Sequence, residues 1–179
     1  MRKLKITELN RLTPTEYAAS NKTPLTVVLD HVRSLNNVGS VFRTADAFRV
    51  EEVCLCGITA TPPNVEIHKT ALGAEETVSW RYFKDTIDAV TELKQRQYTV
   101  IAIEQTIGSV SLNDFQPVAG QRYAVVFGHE VKGVAQYVVD ACDFSIEIPQ
   151  YGTKHSLNVS VAAGIIIREF QHKLTNINI

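Results

Sequence analysis

Short apolar runs alternate along this chain with longer stretches in which apolar residues recur every three or four positions. The short runs are Leu25 to Asp30, Val53 to Gly57, Thr99 to Glu104, Tyr123 to Gly128 and Phe144 to Ile148, the last stopped by Pro149. They are rich in β-branched residues and apolar on both faces, as the strands of a covered parallel sheet are. Between them the pattern predicts a helix over Val38 to Phe48 and another after a capping Asp85, with Ile87, Val90 and Leu93 on one side. Two more are predicted over Gly133 to Cys142 and Ser156 to Lys173. In the last of these, Leu157, Val161 and Ile165 line up at i, i+4, i+8 and read as its core-facing stripe. Gly164 within it points to the close approach of another backbone. Strand and helix in alternation imply an α/β domain built on a parallel sheet. Thr59 to Asn64, with Pro62-Pro63, reads as a surface loop.

At 179 residues the chain is expected to form one domain. Residues 1–24 read as a basic N-terminal extension, 25–173 as the α/β unit and 174–179 as a tail. Hydrophobic residues make up 45% and charged residues 21%, which excludes a disordered or low-complexity protein. No apolar run approaches the roughly 20 residues that span a bilayer. Met1 to Asn10 has no signal-peptide core, so a soluble, cytoplasmic protein is expected. The net charge of −1 argues mildly against a nucleic-acid protein, but the charge is unevenly spread. Residues 1–22 carry Arg2, Lys3, Lys5, Arg11 and Lys22 against only Glu8 and Glu16. A basic RNA-facing arm and a plain solvated helix fit that bias equally. Cys54 and Cys56 lie in an apolar run and read as core residues; with Cys142 they make an odd set without C-x-x-C spacing, which fits a reducing compartment. The scattered histidines 31, 68, 129, 155 and 172 offer no zinc-ligand spacing, and no metal is expected.

In open parallel sheets, ligands sit outside the carboxyl ends of the strands. Three of these ends are followed by polar or glycine-rich segments. Asn36-Asn37-Val38-Gly39-Ser40-Val41-Phe42-Arg43-Thr44 opens a helix, with asparagine as a cap and Arg43 able to hold a phosphate. A capped helix with one surface arginine accounts for the same residues. Phe127-Gly128-His129-Glu130-Val131-Lys132-Gly133 puts glycine at a strand end, where a ligand or another backbone can come close. It reads equally well as a turn with an acid near a helix start. Ile148 to Ser160 is a glycine-containing loop followed by a helix that Ser156 can cap. Asn158 and Ser160 lie early in that otherwise apolar helix, where polar residues point to a site more than to a core.

In order and spacing these segments resemble the three motifs of the SpoU/TrmH family of RNA methyltransferases, in the SPOUT superfamily. The matching residues are Asn37-x-Gly39-x-x-x-Arg43-Thr44-Ala45, then Phe127-Gly128-x-Glu130-x-x-Gly133. The third motif matches Ile148-Pro149-x-x-Gly152-x-x-x-Ser156-Leu157-Asn158-Val159-Ser160-Val161-Ala162-Ala163, and Ala71-Leu72-Gly73-Ala74-Glu75 resembles a stretch common between the first two. The resemblance covers roughly Thr26 to Phe170. It implies a parallel-sheet SPOUT fold with a C-terminal deep trefoil knot, S-adenosylmethionine as cofactor and a homodimer with its active site at the interface.

The resemblance also implies roles. Gly128, Ile148 and Leu157 would contact the cofactor, with Glu104 and Thr106 forming a further wall. Arg43 would act on substrate bound mainly by the partner subunit. Asn37 would orient Arg43 or the ribose, and Glu130 would hold Arg43 or the substrate. Ser156 and Asn158 would shape the pocket and hold the ribose. The implied reaction is 2′-O-methylation of a ribose in tRNA, at a D-loop guanosine or the wobble position, with rRNA as the alternative. Compact members of the family more often resemble tRNA enzymes, and only about 22 residues precede the first strand. A non-catalytic RNA-binding relative would be expected to lack Arg43, Glu130 or Asn158, and all three are present. A small-molecule nucleotide enzyme would show a phosphate loop or dinucleotide fingerprint, and neither appears.

Overall fold

A computed structural model describes residues 1–177, the side chain of Ile177 excepted. After a 3-10 turn at Ile6–Glu8, the order is α1 (Pro14–Ala19), β1 (Thr23–Asp30), α2 (Leu35–Ala47), β2 (Val50–Cys56), α3 (Val65–Ala71) and α4 (Ala74–Thr77). Next come β3 (Trp80–Phe83), α5 (Thr86–Gln95), β4 (Tyr98–Ile103), β5 (Val110–Ser111), β6 (Arg122–Phe127), α6 (Gln136–Ala141), β7 (Phe144–Glu147) and α7 (Val159–Ile177). The strands form one sheet in the order β3-β2-β1-β6-β4-β7-β5, and every pairing is parallel.

The interior strand β1 shows why the apolar runs read as they do. In β1, Val27 and Leu29 face one core, shared with α2 and α7 through Val38, Phe42, Ile167 and Phe170. Val28 faces the other, shared with α5 and α6 through Val90, Leu93 and Val138. A strand covered on both sides is apolar on both faces, so the period of two disappears. Cys54 and Cys56 sit in the second core as expected. Burial pushes the Cys56 thiol up to about 12 and Cys142 likewise to about 12, so neither is a ready nucleophile.

Several boundaries differ from the sequence reading. Asp85 does cap α5, accepting from Ile87 N at 3.0 Å. For α2 the cap is Ser34, which accepts from Asn37 N at 3.3 Å, so the helix starts a turn earlier and the asparagines lie inside it. Ser156 lies in an exposed loop, and α7 begins at Val159 with Asn158 as its cap: the Asn158 side chain accepts from Ser160 N at 2.9 Å. Residues 133–135 form a turn before α6. The supposed tail is helical through Ile177; residues 178 and 179 lie outside the described residues.

The N-terminal extension is only partly solvated. Thr13 and Glu16 form a capping box at the start of α1, and Tyr17 is buried against the first core. The largest correction concerns α7. Its sheet-facing residues are Val159, Ala163, Ile166, Ile167 and Phe170, whereas Leu157, Val161 and Ile165 stay 38%, 51% and 38% exposed. The helix has two apolar faces, and periodicity could not say which one meets the sheet. Gly164 likewise has no atom near its open side.

Candidate functional site

The loops that follow β4, β6 and β7 converge at the carboxyl end of the sheet. They enclose a cleft of about 360 Å³ whose lining includes Glu104, Gly128, Ile148, Ser156 and Leu157. That volume lies in the range of small-ligand sites. The loop after β6 is folded tightly. His129 N donates to Gly133 O at 3.0 Å and Gly133 N returns to His129 O at 2.8 Å. At Gly128 a Cβ would lie 2.0 Å from Gly133 C and 2.1 Å from Val134 N, so only glycine lets this loop close on itself. Glu104 holds it from the side, accepting from Val134 N at 3.0 Å and from Gln105 N at 2.9 Å. The loop after β7 is tied in by Gln105 Nε2, which donates to His155 O at 2.8 Å.

Glu130 leaves this loop toward the start of α2. Its carboxylate accepts from Arg33 N at 3.1 Å, Ser34 N at 2.9 Å and Asn37 Nδ2 at 3.0 Å. Asn37, itself buried, accepts through Oδ1 from Asn158 Nδ2 at 3.2 Å. Asn158 Oδ1 in turn accepts from Ser160 N and from Ser160 Oγ, at 2.9 and 2.7 Å. One chain of hydrogen bonds therefore joins the three segments singled out in the sequence. Gly39 serves the same region by packing: its open side faces Ile67 O at 2.3 Å and Thr70 Oγ1 at 2.1 Å from an added Cβ, which lets α3 lie directly on α2.

The placement of the remaining residues is uneven. Arg43 is exposed on α2, does not line the cleft, and makes no hydrogen bond or ion pair among the described residues. It is held by neither Glu130 nor Asn37. Thr106 is turned away from the cleft, its hydroxyl bonded to Ser145 Oγ. Ser156 lines the cleft without a side-chain hydrogen bond among the described residues. Sequence reasoning missed Ser34, hidden beside the asparagine pair, and Asp30, a buried acid at a strand end. Asp30 accepts from Thr86 Oγ1 at 2.5 Å and Ala135 N at 3.2 Å, anchoring the turn before α6. An aspartate closing an apolar strand was the available signal.

Burial opposes the charge on Glu130, but the N–H groups of Arg33 and Ser34 and the Asn37 amide outweigh it and hold the carboxyl below the usual glutamate range. A depressed folded-state value stabilises the fold above the unfolded pKa, and that contribution disappears as pH falls through the lower folded value. Glu130→Gln should therefore lower stability by about 1–3 kcal/mol at neutral pH, since a hydrogen bond to a charged group is lost. The gap between wild type and variant should close as the pH is taken well below 4. Thermal unfolding of both proteins across pH checks this; a gap independent of pH would contradict it.

A parallel sheet with a glycine-closed cleft at its carboxyl end defines an α/β protein that takes a small ligand there. The SpoU rRNA Methylase family matches residues 24–168, and the chain belongs to that family. It is 34% identical to the tRNA (guanosine(18)-2′-O)-methyltransferase of Thermus thermophilus, over 93% of this chain and 84% of that one. It is 31% identical to the 23S rRNA (guanosine-2′-O-)-methyltransferase RlmB of Vibrio parahaemolyticus, over 90% of this chain and 64% of that one. The chain spans 60% and 58% of the length of two further relatives named for the TrmH family, from Bacillus subtilis and Staphylococcus haemolyticus. Among solved structures, the A. aeolicus TrmH/SpoU tRNA modifying enzyme superposes with a TM-score of 0.81 at 26% identity, covering 92% of this chain and 82% of that one. An AdoMet-bound rRNA methyltransferase from Sinorhizobium meliloti superposes at 0.79 and 25% identity, covering 92% and 62%.

Proposed function

We propose that this protein is an S-adenosylmethionine-dependent RNA 2′-O-ribose methyltransferase acting on tRNA. The observation that carries the reading is the hydrogen-bond chain from Glu130 through Asn37 to Asn158, which ties the helix bearing Arg43 to the cleft. The cleft fits the cofactor: it pairs apolar walls at Ile148 and Leu157 with the backbone of the glycine-closed loop. Gly128, Ile148, Leu157 and Glu104 would hold it there. When bound, the cofactor supplies a methyl group already activated on a sulfonium.

The chain's own residues would then bind, orient and desolvate the ribose 2′-hydroxyl, much of the work of such a reaction. With its two-pronged guanidinium, Arg43 would clamp the substrate phosphate and stabilise the charge that develops as the hydroxyl passes its proton to solvent. Ser156, which lines the cleft, and Asn158, two residues further along the chain, would hold the ribose. Because Arg43 stands outside its own chain's cleft, it would serve the cleft of a second copy. The exposed stripe Leu157, Val161 and Ile165, with Gly164 open beside it, supplies the apolar surface a homodimer would cover. The trefoil knot belongs to this reading too, supported by family membership and by the packing of the loops after β4, β6 and β7 around one cleft. Among the described residues no helix is long and apolar enough to cross a membrane, which accords with the cytoplasmic setting of tRNA modification.

The choice of tRNA rests on the near full-length match to the Thermus enzyme, with a D-loop guanosine or the wobble ribose as target. Incubation with methyl-labelled S-adenosylmethionine and unmodified tRNA and rRNA pools should place label in tRNA, at an alkali-resistant linkage. Label in rRNA alone would transfer the reading to rRNA, and label in neither would overturn it. The basic arm adds a second measurement. Deletion through residue 22 would remove buried Tyr17, so the informative truncation removes residues 1–12. It should weaken tRNA binding while cofactor binding stays intact; equal tRNA affinity would remove the arm from the substrate surface.

A further inference from the structure

The stretch Ala71 to Glu75 takes no part in the cleft, yet it folds in an unusual way. Leu72 and Gly73 both adopt left-handed backbone conformations, with φ of 54° and 91°. This reverses the chain between α3 and α4 and brings His68, on the last turn of α3, against Glu75 and Glu76, on the first turn of α4. His68 Nδ1 lies 2.5 Å from Glu75 Oε1. One donor atom from each of His68, Glu75 and Glu76 lies within 4.8 Å of the other two. All three residues line a cavity of about 490 Å³, walled otherwise by Pro62, Pro63, Asn64, Val65 and Trp80.

A second observation is independent of the clustering. The Glu75 side chain is only 7% exposed and its Oε2 is fully buried; the backbone N–H groups of Gly73 and Glu75 lie close to the carboxylate, yet neither makes a hydrogen bond of good geometry to that oxygen. Buried carboxylate oxygens are almost always satisfied, and one left open beside an imidazole and a second carboxylate calls for a cation. Among the described residues no lysine or arginine pairs with it: the nearby Lys69 pairs with Glu66 instead, at 2.6 Å. Donors that share one ion at about 2.0–2.2 Å must lie within about 4.4 Å of each other. Donor atoms already within 4.8 Å of one another need to close by only a few tenths of an ångström to meet that limit.

We propose that His68, Glu75 and Glu76 form a binding site for a divalent first-row transition-metal ion of the zinc, cobalt and nickel group, with an open coordination position toward the Trp80 cavity. One imidazole and two carboxylates suit these ions better than magnesium or calcium, which take oxygen donors. The ion replaces the direct contact between His68 and Glu75, the two donors separating to admit it, and gives the Glu75 carboxylate a further partner. It cross-links α3 to α4 on the side of α2 that Gly39 and the Thr77–Asp46 hydrogen bond already fix. Its role is to brace the helix that carries Asn37 and Arg43. The spacing His-x6-Glu-Glu matches no familiar ligand pattern, because the left-handed turn and not a single helix brings the donors together.

The test uses full-length, tag-free protein stripped with a chelator. Titration with Co²⁺ should give a visible ligand-field band that saturates at one ion per chain and is displaced by Zn²⁺. His68→Asn and Glu76→Gln replace solvent-exposed groups, so the fold should persist by circular dichroism. Each should weaken Co²⁺ binding at least about tenfold, as disturbing a metal site commonly does. Thermal unfolding should show a Zn²⁺-dependent rise in the wild type that both variants lose. Absence of the band in the wild type, or a band of unchanged affinity in either variant, would overturn the proposal.

Discussion

Alanine at position 128 should leave a folded chain that binds S-adenosylmethionine at least about tenfold more weakly, and on the order of a hundredfold if the loop must open fully. The added methyl would meet backbone, not the movable end of a side chain, at 2.0 Å from Gly133 C. The loop after β6 can relieve this only by opening the paired hydrogen bonds between His129 and Gly133. That displaces Val134 N from Glu104 and swings Glu130 away from Arg33 and Ser34. The cleft wall and the hydrogen-bond chain are lost together. Calorimetric titration with the cofactor, beside circular dichroism, separates this from general unfolding; affinity within twofold of wild type would refute it.

The second large effect is expected at Arg43. Arg43→Ala should reduce methyl transfer by about 10²–10³-fold, the usual consequence of removing one electrostatic stabiliser. Cofactor affinity and thermal stability should stay unchanged, because the side chain is exposed and lies outside its own cleft. Arg43→Lys should recover little, since an ammonium cannot reproduce the two-pronged hold of a guanidinium on phosphate. Mixing the two damaged subunits then distinguishes within-chain from cross-chain action. In a heterodimer of Arg43→Ala with Gly128→Ala, the intact cleft belongs to one subunit and the intact arginine to the other. Cross-chain action predicts that activity returns on mixing. Continued inactivity in verified heterodimers would place Arg43 at its own cleft.

How much of this could be read from the chain depends on how local each feature is. Five strands announced themselves because coverage on both faces demands unbroken apolar runs. The edge strands β3 and β5 did not. Trp80 to Phe83 carries Arg81 and stays half-buried, and Val110–Ser111 is too short to form a pattern. Asn37, Glu130 and Asn158 stood out as polar residues in apolar or glycine-rich settings. Their connections did not, because the partners lie 93 and 121 residues apart in sequence. That distance is why the chain gives no local sign that Glu130 also holds the start of α2. The α7 stripe failed for another reason: a helix covered on one side by its own sheet and apolar on the other offers two answers to a single period.

The strand order has a consequence for the protein while it is being made. Chains emerge from the ribosome N-terminus first, and β1, β2 and β3 form one flank of the sheet from the first half of the sequence. The other flank of β1 is paired by β6, which spans Arg122–Phe127, and β4 cannot substitute because it pairs with β6 and β7. A nascent chain therefore holds out the unpaired edge of β1, a strand buried from Leu25 to Asp30, until some forty further residues after β3 have been synthesised. Aggregation during rapid expression should begin at that edge, and slowing translation ahead of residue 122 should worsen it.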